Sequence, residues 1–131
     1  NVGYIDANSK FYKSYTSGNL SLEKLTQTDA SISQPGSFFK TSFTTTIGDL
    51  AEYRFAFDYE YILRLFKHNA KVHKLEDNVA YFRYYNDSKS GSKNFRFLEE
   101  QYTISKLYGR MGFSRLTFML IIRIIKRRLF N

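Results

Sequence analysis

Few side chains in this sequence are placed to do acid–base or metal chemistry, and Asp58 is the most informative of them. Asp58 and Glu60 open a run with helical spacing, where the positive end of a helix dipole would stabilise a carboxylate. By itself, an Asp at such a place is commonly a helix N-cap. His68 and His73 are close in sequence but have no third ligand beside them, so surface or structural roles are favoured over a zinc site.

Length and composition restrict the class of protein. A chain of 131 residues is long enough for one domain with a hydrophobic core and too short for two ordinary domains. An aromatic content of 18%, from Tyr and Phe without Trp, argues against a disordered chain. The lack of cysteine excludes disulfides and thiolate metal sites and fits a reducing compartment. The net charge of +8 would attract nucleic acid, anionic lipid or nucleotide diphosphates.

Apolar periodicity and turn-forming residues predict an α/β chain. Ser21 is predicted to cap the first helix, and Thr41 or Ser42 the second. Pro35 and Gly36 break regular structure before the apolar Phe38–Phe39 pair, and Asn69 is predicted to end the third helix in the left-handed conformation. The predicted strands are residues 2–5, 11–15 and 71–85, the last with a turn or bulge at residues 76–78. The predicted helices are residues 20–25, 43–47, 57–68, 94–107 and 114–130.

Residues 114–131 are predicted to form a basic amphipathic helix. Leu120, Ile121, Ile124 and Ile125 fall on one side at helical spacing, while the cations gather on the other. The uncharged run is too short to span a bilayer. Three roles remain open: peripheral contact with an anionic membrane, packing on a further domain, or an oligomer contact. The domain division that follows is residues 1–109 and the helical segment 110–131.

Several short motifs follow one another in an order that resembles the acceptor half of inverting family 2 glycosyltransferases. The resemblance covers roughly residues 30 to 95, and more faintly the first 20. The motifs are Gln34-Pro35, Phe38-Phe39, Ile47-Gly48-Asp49-Leu50, Asp58-Tyr59-Glu60, Leu63-Arg64-Leu65, Tyr81-Phe82-Arg83-Tyr84-Tyr85 and Asp87-Ser88-Lys89-Ser90. The resemblance implies part of a GT-A-like nucleotide-diphospho-sugar transferase domain that lacks its N-terminal nucleotide-binding half and carries additional C-terminal helices.

By this resemblance, Asp58 is the catalytic base that takes the proton of the acceptor hydroxyl. Tyr59 and Glu60 would orient the acceptor or the donor sugar. The base and N-cap interpretations of Asp58 are compatible, because a carboxylate at the start of a helix serves both.

The same resemblance assigns further residues to substrate binding. Gln34, Pro35 and Gly36 would line the acceptor cleft, and Arg83 would approach the diphosphate or brace the helix of Asp58. Tyr85 is also assigned to substrate binding. It stands where many family members carry a histidine that in some of them meets the metal, so metal contact from this half of the domain is not expected.

The resemblance also implies a divalent metal, Mg²⁺ or Mn²⁺, in the full-length enzyme. The Asp-x-Asp motif that positions this metal is not in the chain, so no metal ligand is assigned to it. The implied partners are a nucleotide-sugar donor and a saccharide or lipid-linked acceptor. The chain is expected to begin just after the nucleotide-binding half and to be inactive in transfer by itself.

The leading interpretation is therefore part of a glycosyltransferase of bacterial polysaccharide or glycoconjugate synthesis. Its expected location is cytoplasmic, with peripheral contact to the inner face of the cytoplasmic membrane, and a homodimer could cover an exposed sheet edge or helix face. The alternative is a basic, non-enzymatic module that binds nucleic acid or a membrane surface. Against nucleic acid, the sequence has no recognisable helix-turn-helix, KH or RNP motif.

Overall fold

The computed structural model describes residues 1–27, 32–83, 95–109 and 114–129. Within these ranges the chain is a small mixed α/β protein with a three-stranded sheet and five helices. In chain order the elements are β1 (Val2–Ile5), β2 (Phe11–Tyr15), α1 (Leu22–Gln27), a 3₁₀ turn (Gln34–Gly36), α2 (Thr41–Ile47), α3 (Phe57–Lys67), β3 (Ala80–Arg83), α4 (Phe95–Leu107) and α5 (Arg115–Leu129).

The sheet has the order β2-β1-β3, with β1 antiparallel to β2 and parallel to β3. A tight turn joins β1 to β2, because the Asp6 carboxylate accepts hydrogen bonds from the backbone N–H groups of Asn8 and Lys10. The parallel pairing of β1 with β3 requires a long crossover, which α1, α2 and α3 occupy.

The 3₁₀ turn packs closely on the start of β1. A Cβ atom built on Gly36 would lie 2.4 Å from Cγ2 of Val2, a distance that real Cβ atoms do not adopt. Glycine is therefore needed at position 36 for space, and the turn lies against the buried side chain of Val2.

The main core lies where α1, α3 and α4 meet. Its buried members are Leu25, Ala56, Ile62, Leu63 and Ile104. These apolar residues supply the burial that isolated short helices lack, since helices of this length are marginal in water without tertiary packing. Among the described helices, none combines the length and apolar character needed to cross a membrane.

A second apolar cluster joins α5 to α4. Leu98 of α4 and Leu120 of α5 are its buried members, with Tyr102 and Ile124 packed against them. This packing separates the four apolar residues that the sequence pattern placed on one side of α5. Leu120 and Ile124 face α4, whereas Ile121 and Ile125 are exposed.

The predicted element types are largely confirmed, and the α/β class with them. Ser21 accepts the Lys24 backbone N–H at 3.1 Å as a capping residue does, and Asn69 ends α3 at a φ of 61°. The predicted cap of α2 is wrong. That helix begins at Thr41 with Lys40 at the N-cap, so Thr41 and Ser42 lie inside it.

The long strand predicted over residues 71–85 is also wrong in part. Only Ala80–Arg83 is strand, and residues 71–78 are exposed and irregular. The β-branched and aromatic residues suggested a longer strand, but β1 offers only four residues for pairing, from Val2 to Ile5. Tyr84, Tyr85 and the motif of residues 87–90 lie outside the described residues.

Candidate functional site

Asp58 lies in the first turn of α3 and is half-buried. The helix begins at Phe57 with Ala56 at the N-cap, so the interpretation of Asp58 as the N-cap residue is wrong. Its Oδ1 accepts the backbone N–H of Tyr59 at 2.8 Å. The carboxylate therefore lies at the positive end of the helix, where the macrodipole stabilises an anion.

Glu100 of α4 binds the backbone that leads into α3. Its carboxylate accepts three consecutive backbone N–H groups: Arg54 at 3.2 Å on Oε1, and Phe55 at 2.8 Å and Ala56 at 2.9 Å on Oε2. Such charge-assisted bonds satisfy backbone donors that would otherwise lack a partner near the start of a helix. Glu100 thus fixes the backbone that leads into the turn of Asp58.

Replacing Glu100 should loosen this backbone. We expect Glu100→Ala to lower the free energy of unfolding by about 1–3 kcal/mol, the usual cost of losing hydrogen bonds to a charged acceptor. Urea denaturation measures this loss, and hydrogen exchange should show reduced protection of the Phe55 and Ala56 amides. As a control, Glu52→Ala removes an exposed carboxylate from the loop between α2 and α3, which contains the residues that Glu100 binds. Equal stability of the two variants would contradict the role of Glu100 in holding this backbone.

An apolar groove of about 790 Å³ lies beside the C-terminal half of α3. Its other walls come from the 3₁₀ turn, α2, residues 69–75, the start of β1 and the end of β2 with the residues that follow it. Aromatic and aliphatic side chains dominate the lining, and its basic side chains are Lys40, Lys71, His73 and Lys74. Among the described residues that line it, none is acidic. The groove is therefore suited to a ligand with an apolar part and a negative charge.

Asp58 is not a lining residue, but helical geometry relates it to the groove. Ile62, Leu65 and Phe66 of α3 line the groove, followed by Asn69. Asp58 precedes Ile62 by four residues and therefore lies on the same face of α3, one turn toward the N-terminus. A ligand that fills the groove and extends by one helical turn would reach the Asp58 carboxylate.

Glu60 is buried and forms the centre of a polar network. Its Oε2 accepts Nη2–H of Arg64 at 3.0 Å, and its Oε1 accepts the Tyr108 hydroxyl at 2.5 Å. Arg64 also donates to the carbonyl oxygens of Ile47 at 3.2 Å and Asp49 at 2.7 Å. The network joins the end of α2 and the residue after α4 to the middle of α3. The sugar-orienting role of Glu60 stays a prediction, and its carboxylate is already occupied by two partners.

Tyr108 makes this network sensitive to high pH. Burial raises the pKa of its hydroxyl, and the hydrogen bond to Glu60 and the charge of Glu60 raise it further. A raised pKa means that the folded chain holds the phenolic proton more tightly than the unfolded chain. Its contribution to stability is therefore complete below the ordinary tyrosine pKa of 10.0 and is lost as pH rises above it.

We therefore expect stability to fall more steeply above pH 10.0 in the unaltered chain than in Tyr108→Phe. Urea midpoints measured from neutral to strongly alkaline pH give the two slopes. Tyr81→Phe, which removes an exposed phenol, is the matched control and should keep the steep slope. Parallel curves for the unaltered chain and Tyr108→Phe would contradict the assignment.

The other predicted site residues are distributed over several places. The Tyr59 hydroxyl donates to the carbonyl oxygen of Leu25 at 2.8 Å, which ties α3 to α1. Gln34 is exposed, Pro35 and Gly36 are half-buried, and Gly36 is the one of these three that lines the groove. Tyr85 lies outside the described residues.

Arg83 binds the turn between β1 and β2. Its guanidinium donates to the carbonyl oxygens of Asp6 at 2.9 Å and Ala7 at 3.0 Å and to Oγ of Ser9 at 2.9 Å. The prediction that Arg83 braces the helix of Asp58 is therefore wrong, because its hydrogen bonds go to the turn between β1 and β2. Contact with a diphosphate stays a prediction.

A divalent metal has no site among the residues that the structure describes. No group of three or more His, Asp or Glu side chains is placed there to hold one. The donor set of the described chain does not fit the metal that the resemblance implies, and no chemical step is assigned to one.

Sequence reasoning missed Glu100, Arg64 and Tyr108. The four-residue spacing of Glu60 and Arg64 on a helix was a readable signal for an ion pair. Glu100 and Tyr108 gave no such signal, because each meets its partner across more than 40 residues of sequence.

Comparisons with protein-family models, with curated proteins and with solved structures found no match to this chain.

Proposed function

We propose that this chain is the acceptor-side part of an inverting glycosyltransferase, with Asp58 as the base. The observation that carries the proposal is the position of Asp58. It lies in the first turn of α3, half-exposed, and on the helix face that continues into the apolar groove. Glu100 accepts the backbone N–H groups just before the helix, and Asp58 accepts the N–H of Tyr59 through one of its two carboxylate oxygens.

The chemistry asked of Asp58 is proton removal. As the acceptor oxygen attacks the anomeric carbon, its O–H bond breaks and the proton passes to the carboxylate. A new C–O bond forms, and the bond from the anomeric carbon to the diphosphate breaks, so that the nucleoside diphosphate leaves with the electron pair. Attack opposite the leaving group inverts the anomeric centre.

The groove supports a lipid-linked acceptor over a free saccharide. Its apolar lining would hold a hydrocarbon portion, and Lys40, Lys71 and Lys74 would attract a phosphate that links lipid to sugar. Such an acceptor would place its sugar one turn further along α3, beside Asp58.

The test uses saturation-transfer NMR to measure the binding of nucleotide sugars. Binding is measured to this chain and to a longer polypeptide that adds an upstream nucleotide-binding half. The proposal expects binding and transfer by the longer polypeptide only. Lack of nucleotide-sugar binding by both would overturn it.

A second candidate, binding of single-stranded nucleic acid, is favoured by one observation. Phe11 and Tyr81 expose aromatic rings on one face of the sheet and Tyr12 exposes its ring on the other, where the Lys13 ammonium lies 5.8 Å from the centroid of the Tyr12 ring. Bases stack on such rings. Titration with single-stranded RNA across a salt series tests it, and a steep salt dependence with loss on Tyr12→Ala would support it.

A further inference from the structure

Helix α5 carries two apolar stripes, and one of them has no partner among the described residues. The inner stripe consists of Leu120 and Ile124, which pack on α4, and the buried Thr117 one turn earlier on the same side of the helix. The second stripe, named here the outer stripe, consists of Phe118, Ile121, Ile125 and Leu129. Its members recur at helical spacing, and each of the first three follows directly on a residue of the inner stripe. The two stripes are therefore about 100° apart around the helix.

The outer stripe is large and well exposed. Phe118 and Leu129 are 68% and 72% exposed, and Ile121 and Ile125 are 39% and 49% exposed. Single exposed apolar residues are ordinary on protein surfaces, but a row of four along one helix marks a surface for interaction. Packing of the inner stripe on α4 holds α5 in place, so that the outer stripe faces away from the protein.

The charged residues of this segment are all basic. Residues 114–131 contain Arg or Lys at five positions, and all 12 acidic residues of the chain precede them. The side chains of Arg123 and Lys126 are exposed, and neither forms an ion pair with any described residue. Lys126 follows Ile125 directly and so borders the outer stripe on the side away from α4.

We propose that the outer stripe of α5 lies in the interface of an anionic lipid membrane, parallel to its plane. The apolar side chains would enter the acyl boundary, and Lys126, which borders the stripe, would reach the acidic headgroups along its aliphatic stem. This inference does not depend on the proposed glycosyl transfer, because it uses a different face of the molecule and no residue of the candidate site.

A membrane fits both properties of this surface better than other occupants do. RNA would neutralise the cations but would leave aliphatic side chains, which offer no stacking platform, in water. A second copy meeting this face across a two-fold axis would cover the stripe but would bring two sets of cations together without any acidic residue between them. An anionic bilayer covers the apolar side chains and neutralises the charge.

The first test is co-sedimentation of the 131-residue chain with vesicles of phosphatidylcholine alone and of phosphatidylcholine mixed with phosphatidylglycerol. We expect binding to the mixed vesicles, weakened by salt. The double variant Ile121→Ser, Ile125→Ser should lower vesicle affinity by about tenfold or more, because it removes apolar area from the interface. Leu50→Ser removes an apolar side chain of similar exposure (56%) outside α5 and should bind as the unaltered chain does.

Charge is tested in the same assay. Lys126→Glu should weaken binding to the mixed vesicles, whereas Lys10→Glu makes the same change of net charge on the exposed turn between β1 and β2 and should have little effect. Equal losses in the two variants would mean that only net charge matters, which would overturn the placement of the outer stripe.

A fluorescence test reports insertion directly, because the chain contains no Trp. Phe118→Trp should shift its emission to shorter wavelength on mixed vesicles and be quenched by brominated acyl chains, whereas Leu50→Trp should not. The proposal is overturned if no vesicle binds. In that case, loss of RNA binding or of a dimer in the serine variant, the dimer being followed by sedimentation velocity, would identify RNA or a second copy as the occupant of the outer stripe.

Discussion

Asp58→Asn is expected to lower glycosyl transfer by about 10²–10⁴-fold, the usual contribution of a general base. The change replaces a proton acceptor by an amide that cannot take the proton of the acceptor hydroxyl. The amide oxygen can still accept the Tyr59 backbone N–H that Oδ1 of Asp58 accepts now. The fold of the first turn of α3 should therefore survive, and the loss should appear in kcat with little change in nucleotide-sugar binding.

The measurement is made on a polypeptide that includes an upstream nucleotide-binding half, with the sugar nucleotide that binding identifies. Asp77→Asn alters an exposed carboxylate of the 71–79 segment and should leave transfer unchanged. If transfer by Asp58→Asn stayed within a few-fold of the unaltered protein, Asp58 would not be the base. If nucleotide-sugar binding were also unchanged, the assignment as a glycosyltransferase would stand and another carboxylate would have to be the base.

Arg64→Ala is expected to lower the free energy of unfolding by about 3–5 kcal/mol, the usual cost of breaking a buried ion pair by removing one partner. The variant leaves the Glu60 carboxylate buried without its charge partner. It also removes donors from the carbonyl oxygens of Ile47 and Asp49, where the chain leaves α2. The loss of stability is expected even though Arg64 is partly exposed, because Glu60 is not.

Urea denaturation measures this loss, and Arg54→Ala is the control. Arg54 is exposed and its guanidinium stacks on the Phe55 ring with a distance of 5.6 Å from its central carbon to the ring centroid. We expect that control to change stability by no more than about 0.5 kcal/mol, as surface substitutions usually do. Adding Glu60→Leu to Arg64→Ala should recover part of the loss, because no charge is then left buried. A double variant less stable than Arg64→Ala would contradict the ion-pair explanation.

Local patterns in the sequence were sufficient for the elements that depend on near neighbours. The strands Val2–Ile5 and Phe11–Tyr15 and the helix α3 were predicted because their periodicity and flanking turn residues agree. The capping of α1 by Ser21 and the left-handed Asn69 were predicted for the same reason, since each depends on contacts within four residues. The candidate base Asp58 was likewise identified from the sequence, through the order of its motifs.

Tertiary structure decided the features that depend on distant partners. The strand β3 is short because β1 is short, and no local property of residues 71–85 carries that limit. The backbone just before α3 is held by Glu100, whose partners are 44 or more residues away in sequence, so no local pattern predicted this contact.

The two faces of α5 illustrate the division most directly. Its sequence determined an apolar, basic helix, because amphipathic periodicity is a property of consecutive residues. Which apolar residues are buried was decided by α4, whose Leu98 contacts Leu120 and leaves Ile121 and Ile125 exposed. Periodicity shows that a helix has an apolar side, but the position of the neighbouring helix determines how much of that side is covered.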